Sequence, residues 1–271
     1  MRTRLAPTPS GFLHLGNILS FVTTLRLAAS TGARVLLRID DLDQARADER
    51  YVQDIFETLE FLGIGWDEGP RDVEDLKTRW SQVHRMEMYR EALEALRATG
   101  GVFACTCSRA QIARETVEGI YPGTCREKGF SLDAPDVSWR IRTDMLRELA
   151  VRGVDGRVVL SPLDATMRDF VVRKKDGAPA YQLTSILDDL YFGVDLIVRG
   201  QDLWPSTLAQ LYLASFLPGG EDFKKTCFYH HELLKDADGS KLSKSAGATS
   251  IQFLRREGRR PEEIYRMIGV F

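Results

Sequence analysis

No apolar run in this chain approaches the roughly twenty residues a helix needs to cross a bilayer, which argues against a helical membrane protein. A secretory leader pattern is missing too: Met1-Arg2-Thr3-Arg4 runs straight into a turn-forming stretch, so the expected location is cytoplasmic, with no membrane partner and no obligate protein partner evident. Cysteine is sparse, with four in 271 residues, and that is no disulfide framework. Excess positive charge is also absent. Lys and Arg total 37 against 39 Asp and Glu, a formal net charge of -2, so any nucleic-acid contact must rest on local clusters. Arg173-Lys174-Lys175, Lys224-Lys225 and Arg255-Arg256 with Arg259-Arg260 are the candidates. Each, read alone, is a solvated face before it is a phosphate patch.

What is present is concentrated near the N-terminus. In Arg4-Leu5-Ala6-Pro7-Thr8-Pro9-Ser10-Gly11-Phe12-Leu13-His14-Leu15-Gly16-Asn17, a short buried strand ends at Ala6. Two prolines and Gly11 then force a turn, and His14, Gly16 and Asn17 open a helix predicted over 18–29. A helix opening presents unpaired N–H groups and a positive dipole end, which favours a phosphate. Gly16 lets a flat base or ribose lie against the backbone, and His14 can donate to phosphate oxygens. Alone, this is equally a strand-to-helix turn with a surface histidine.

A second stretch, Asp238-Gly239-Ser240-Lys241-Leu242-Ser243-Lys244-Ser245, sets two lysines among glycine and serines near the other end. The pair resembles the HIGH and KMSKS signatures of class I aminoacyl-tRNA synthetases. Leu36-Leu37-Arg38-Ile39-Asp40-Asp41-Leu42-Asp43, Gly65-Trp66-Asp67-Glu68-Gly69-Pro70 and Ile197-Val198-Arg199-Gly200-Gln201-Asp202-Leu203 are similar to segments of the glutamyl-tRNA synthetase catalytic region, in the same order. The resemblance spans nearly the whole chain. It implies an α/β fold, a Rossmann-type doubly wound parallel sheet with an inserted zinc-containing α+β module and a short helical C-terminal segment. The expected boundaries are 1–100 and 169–235 for the two Rossmann halves, 101–168 for the inserted module, and 236–271 for the lysine loop with its helical tail.

Residue patterns fill in the elements. The run 34–40 reads as a buried strand with Asp40, Asp41 and Asp43 gathered at its carboxyl end, where ligands of open α/β sheets sit. Asp43 is expected to cap a helix over 49–62, and Asp40 to face substrate. The related enzymes place a glutamate at Asp40, holding the substrate's α-amino group; aspartate is shorter by about 1.5 Å. Further helices are predicted over 81–99, from Ala180 to Asp188-Asp189, and over 206–216, with a helical piece near 145–150 and strands over 169–173 and 195–200. His230 and His231 read as strand residues near adenine, and Cys227 as a lone core thiol.

Cys105-Thr106-Cys107 and Tyr121-Pro122-Gly123-Thr124-Cys125 gather three thiols in a short segment. Three thiolates suit a soft metal, and tetrahedral Zn2+ needs a fourth ligand, for which Tyr121 is an unusual candidate. Read alone, three buried free cysteines fit equally well. The arrangement is similar to the zinc site of glutamyl-Q tRNA(Asp) synthetases, shortened relatives of glutamyl-tRNA synthetase, and this implies Cys105, Cys107, Tyr121 and Cys125 as ligands of a structural zinc.

The same resemblance implies that His14, Lys241 and Lys244 are catalytic, that His14, Gly16, Asn17 and Lys244 bind ATP with its Mg2+, and that Arg4, Ala6, Thr8, Asp40, Tyr181 and Arg199 line the L-glutamate pocket. Arg199 at a strand end, beside Arg4, matches a carboxylate through its planar fork. The chain ends too soon for the parent enzyme's anticodon-binding portion, which points to the anticodon loop of tRNA(Asp) and its queuosine as acceptor. Three rivals stay open: a glutamyl ligase for tRNA(Glu) or another acceptor, a nucleotidyltransferase of the same superfamily, and a zinc-stabilised RNA-binding module without catalysis.

Overall fold

The computed structural model describes residues 1–44, 46–116, 119–234 and 250–269. In chain order its first elements are β1 (Arg2–Leu5), α1 (Leu15–Thr31), β2 (Arg34–Leu37), α2 (Glu49–Phe61), α3 (Val73–Asp75), α4 (Met86–Ala98), β3 (Val102–Cys105) and α5 (Arg109–Glu115). There follow β4 (Ser138–Ile141), β5 (Glu148–Gly153), β6 (Val158–Pro162), β7 (Val171–Arg173), α6 (Tyr181–Tyr191) and β8 (Leu196–Gly200). The last are α7 (Trp204–Ala214), α8 (Gly220–Phe223), β9 (Cys227–His231), α9 (Ile251–Arg256) and α10 (Pro261–Met267). None of the described helices is long and apolar enough to cross a membrane.

The chain forms two compact units. The first comprises Met1–Arg85, Leu196–Asp202 and Tyr229–Phe271. Here β1 and β2 pair in parallel, Arg4 opposite Leu36, and the ladder continues past the strand ends through Arg38 N–H to Leu5 O (2.8 Å) and Asp40 N–H to Pro7 O (2.9 Å). The turn after β1 is thereby laid beside the aspartates after β2. Apolar residues of β1, β2, α1, α2, α9 and α10 share one core, with Ile18, Leu37, Ile55, Leu59, Ile251 and Ile264 fully buried.

Gly65-Trp66-Asp67-Glu68-Gly69-Pro70 lies along β2. Asp67 accepts from Val35 N–H (2.7 Å), and Leu37 N–H donates to Glu68 O (2.8 Å). Gly69 has φ +111°, and a Cβ there would sit 2.2 Å from Leu37 O, so only glycine fits.

The second unit comprises Met86–Asp195 and Leu203–Phe228. It holds an antiparallel sheet in the order β3-β4-β7 and a β5–β6 hairpin whose β5 runs parallel to the start of β9, Arg152 opposite Cys227. Helices α6 and α7 are largely buried.

Three expectations on local structure fail. The helical piece near 145–150 is a turn followed by β5, because cross-strand pairing of Leu149, Ala150 and Val151 with β6 overrides a helix-favouring composition. The cap of α2 is Asp48, not Asp43: its carboxylate accepts from Arg50 N–H at 2.8 Å. Helix α4 begins at Met86 rather than 81, preceded by a 3-10 turn over Gln82–Arg85. Asp188 and Asp189 lie within α6 one turn before its end, both fully buried, with Tyr89 hydroxyl donating to Asp188 at 2.6 Å.

Candidate active site

The opening of α1 is closed by its own residues. His14, in extended conformation (φ -120°), is the N-cap. Its Nδ1 accepts the Gly16 N–H at 3.1 Å, and Asn17 Oδ1 accepts the His14 N–H at 3.0 Å. Nδ1 therefore lacks a proton, and the neutral ring carries it on Nε2, which is a donor. The expectation of open amides at this helix start is corrected for Gly16, whose N–H the histidine ring already satisfies.

Two remote segments meet at the same place. Ser250 forms an antiparallel bridge with His14, and Ile251 N–H donates to Leu13 O at 2.8 Å. Ser250 also caps α9, its hydroxyl accepting from Phe253 N–H at 3.2 Å. Lys241 and Lys244 lie outside the described residues; in sequence Lys244 is six positions before Ser250.

Around the ends of β1 and β2 the three aspartates have separate partners. Arg38 chelates Asp40, Nε to Oδ1 at 2.7 Å and Nη2 to Oδ2 at 3.1 Å, with both side chains nearly buried. Asp41 accepts from Ser81 hydroxyl (2.6 Å) and Gln82 N–H (2.8 Å), a purely structural pairing. Asp43 shares with Thr8, Pro9, Ser10, Asp40, Arg46 and Ala47 a small cleft of about 70 Å3. Sequence reasoning missed Arg38, although residues two apart on an extended segment face the same side.

Arg4 is buried on β1 and donates to Val198 O of β8 at 3.3 Å; Arg199, also buried, is the next residue on β8. The first unit therefore brings Arg4, Ala6, Thr8, Asp40 and Arg199 to neighbouring strand ends. In the second unit, Tyr181 starts α6 and is exposed.

His231 Nδ1 donates to Glu232 O (2.8 Å) and its Nε2 shares a 2.6 Å hydrogen bond with the Ser20 hydroxyl, which pins α1 to β9. His230 is held neutral to about pH 4 by burial first, then by the charges of Arg199 and His231.

In the second unit Cys105, Cys107 and Cys125 converge, their Sγ atoms all within 4.8 Å of one another. Cys107 and Cys125 are 3.6 Å apart. This is far from a disulfide bond and near the sulfur separation of about 3.8 Å that tetrahedral zinc–thiolate geometry requires. Tyr121 oxygen lies 3.5 Å from Cys105 Sγ and accepts the Cys125 N–H at 2.8 Å. A small apolar core of Phe103, Ile112 and Tyr121 surrounds the thiols.

Burial raises the Cys107 thiol to about 12, with Cys125 and Cys105 adding to it. Burial opposes ionisation of Cys125 also, but hydrogen bonds from Thr106, Cys107 and Cys105 outweigh it and bring that thiol to about 7. Burial and Cys105 push the Tyr121 phenol upward. Arg140 stacks on the Tyr121 ring, 3.8 Å from its centroid, and donates to Asp169 O at 2.8 Å. Asp169, buried with φ +43°, takes an ion pair from Arg126, the residue after Cys125. These braces carry no motif and were invisible in the sequence.

The family model described as tRNA synthetases class I (E and Q), catalytic domain, matches residues 1–271. The chain is 40% identical over 242 residues to the glutamyl-Q tRNA(Asp) synthetase of Pseudomonas paraeruginosa, covering 89% of this chain and 76% of that protein. It is 33% identical to that of Rhodobacter capsulatus, covering the full length of both. In fold it is similar to a glutamate tRNA ligase from Elizabethkingia meningosepticum solved with its amino acid, with a TM-score of 0.75 at 23% identity, covering 99% of this chain and 60% of that one. With the motif segments and strand ends arranged as above, the chain belongs to the class I tRNA synthetases of the E and Q type and carries their Rossmann-like α/β catalytic fold.

Proposed function

We propose that this protein activates L-glutamate with ATP as glutamyl-adenylate and transfers the glutamyl group to the queuosine of tRNA(Asp). The observation that carries the reading is the His14–Ser250 bridge, which brings the chain leaving the lysine-rich stretch back onto the histidine motif.

In the first step an oxygen of glutamate's α-carboxylate attacks the α-phosphorus of ATP, and the bond to pyrophosphate breaks. Negative charge grows on the phosphate oxygens, so donors held in place beforehand do most of the work. His14 offers Nε2–H from a ring fixed by its capping bond, and Lys244, supported by Lys241, holds the leaving pyrophosphate. Gly16 and Asn17 form the floor beside the nucleotide. Mg2+ entering with ATP screens the phosphates.

Arg4 and Arg199 match glutamate's carboxylates, while Thr8 and the backbone at Ala6 complete the first unit's share of the pocket; Tyr181, expected to join them, belongs to the second unit. Asp40 receives the α-ammonium group. Its bidentate pairing with Arg38 fixes the carboxylate plane. In the second step a queuosine hydroxyl attacks the adenylate carbonyl and AMP leaves.

The segment carrying Cys105, Cys107, Tyr121 and Cys125 reads as an inserted zinc-containing module that meets the RNA, and its sulfur spacing fits the ion. Zinc there supplies a structural cross-link. The anticodon loop of tRNA(Asp) is the expected RNA contact, since single-stranded loops offer bases that can be read by stacking and edge hydrogen bonds.

Pyrophosphate exchange tests the first step. Exchange into ATP is expected to require glutamate; exchange independent of any amino acid favours the nucleotidyltransferase reading and overturns this one.

A further inference from the structure

A cavity of about 350 Å3 opens within the second unit among α4, the turn at 132–134, β4 and the turn after β7, lined in part by Arg90, Arg97, Asp133, Trp139 and Arg173. None of these residues belongs to the amino-acid, nucleotide or thiol sites. Arg97 is committed to Asp133, with two parallel bonds of 2.7 and 2.5 Å, and this pair is electrically closed. Arg90 is different. It is well exposed, and its nearest acid, Glu87, stands 3.5 Å away and is itself exposed, a pairing that holds almost none of its charge. Arg173 donates to the Val137 carbonyl at a long 3.4 Å, lies over the face of Trp139 and acts at longer range on Asp133, while Glu94 is the other acid of the lining.

The cavity offers charge and no reading surface for a base. Trp139 is buried, its ring is met by the guanidinium groups of Arg97 and Arg173 at 5.7 and 5.0 Å, and its indole N–H is used by Leu132 O. A buried indole already met by two cations is not presented to a nucleobase. What remains is a pair of planar donors suited to a phosphate.

The basic stretch Arg173-Lys174-Lys175 continues the feature. Lys175 Nζ donates to Thr106 O, between the two cysteines of the thiol site, at 2.6 Å. Lys174 is itself paired with Asp176 at 3.2 Å, and the other basic clusters are likewise largely cancelled by their own neighbours: Lys224 by Glu221, Lys225 by Asp222, Arg255 by Asp54 and Arg259 by Glu263.

We infer that the Arg90–Arg173 cavity seats a backbone phosphodiester of the RNA substrate, positioning it without reading sequence. The inference rests on the reading that this chain acts on a tRNA. Phosphate contacts of this kind fix register, while specificity is set elsewhere.

The test is equilibrium binding of tRNA(Asp) to the full chain across a series of salt concentrations, for the wild type, Arg90→Ala, Arg173→Gln and the double variant, with melting temperatures as a check on folding. Arg90 is exposed, so its replacement leaves the fold intact. Each single change is expected to weaken binding about threefold to tenfold at low salt. It should also flatten the slope of log K against log salt by about 0.7–0.9, the loss of one phosphate contact, with the double variant losing more.

A Kd and slope for Arg90→Ala equal to the wild type overturn the inference, as does weakening that is independent of salt. Should the wild-type chain charge tRNA(Asp) while the slopes stay equal, only this inference falls; should the wild type bind no tRNA, the functional reading falls with it.

Discussion

Ser250 pairs with His14 across an antiparallel bridge, and the next residue, Ile251, donates its N–H to Leu13 O at 2.8 Å. This contact joins the histidine stretch to a segment more than two hundred residues away that follows the lysine-rich stretch in sequence. If Lys244 stabilises charge on the departing pyrophosphate, Lys244→Ala should cut glutamate-dependent pyrophosphate exchange on the order of a hundredfold or more, the usual loss for one such donor. Exchange that survives within a few fold removes Lys244 from the mechanism.

Asp40 and Arg38 form a nearly buried ion pair beside the proposed amino-acid pocket. Replacing Asp40 by Asn leaves the Arg38 guanidinium without its matching charge, which is expected to cost about 3 kcal/mol of stability and raise the KM for glutamate. Denaturant unfolding and exchange kinetics report the two effects separately. An unchanged midpoint with a raised KM makes Asp40 a substrate contact whose pairing with Arg38 contributes little.

Gly69 is the backbone constraint on the strand edge. With φ +111° and Leu37 O 2.2 Å from an added Cβ, Gly69→Ala should destabilise the first unit by about 3 kcal/mol or more. A chemical denaturation curve within about 0.5 kcal/mol of wild type contradicts the packing described for this segment.

His230 sets a pH dependence. Its folded value of about 4 lies below the ordinary 6.5, so between those values the unfolded chain binds the extra proton. Stability from this group is complete above pH 6.5, falls as pH drops toward 4 and is flat below. The size is on the order of 1–2 kcal/mol once solvent screening is allowed for. His230→Gln should flatten unfolding free energy against pH in that window, and an unaltered profile refutes the assignment.

The thiol site should release metal under acid, since each thiolate and the phenolate must be deprotonated to coordinate. Purified protein is expected to hold about one zinc per chain. Cys125→Ser should lose it to a mild chelator and lower the melting temperature of the second unit. Full zinc retention in Cys125→Ser excludes the proposed ligand set.

The parts of this molecule legible in the sequence were those where one short stretch determines its own geometry. His14-Leu15-Gly16-Asn17 opens α1 because its cap partners lie within three residues, and the cysteine spacing gathers on its own short segment. The Arg38–Asp40 pair went unread although the two lie on one side of the strand end, and the cap was assigned to Asp43 although the expected helix start at 49 is the true one and sets Asp48 directly before it. Pairings set by tertiary context were not legible. The Met145–Ala150 stretch favours helix by composition, yet pairing with β6 made its second half a strand. Arg140 and Asp169 brace Tyr121 and the thiol loop from positions that no motif marks.

The most direct test is charging of labelled L-glutamate onto tRNA(Asp) carrying queuosine, beside tRNA(Asp) without it and tRNA(Glu). The account expects label on the queuosine-bearing tRNA(Asp) alone. Label on tRNA(Glu), or equal label with and without queuosine, contradicts it.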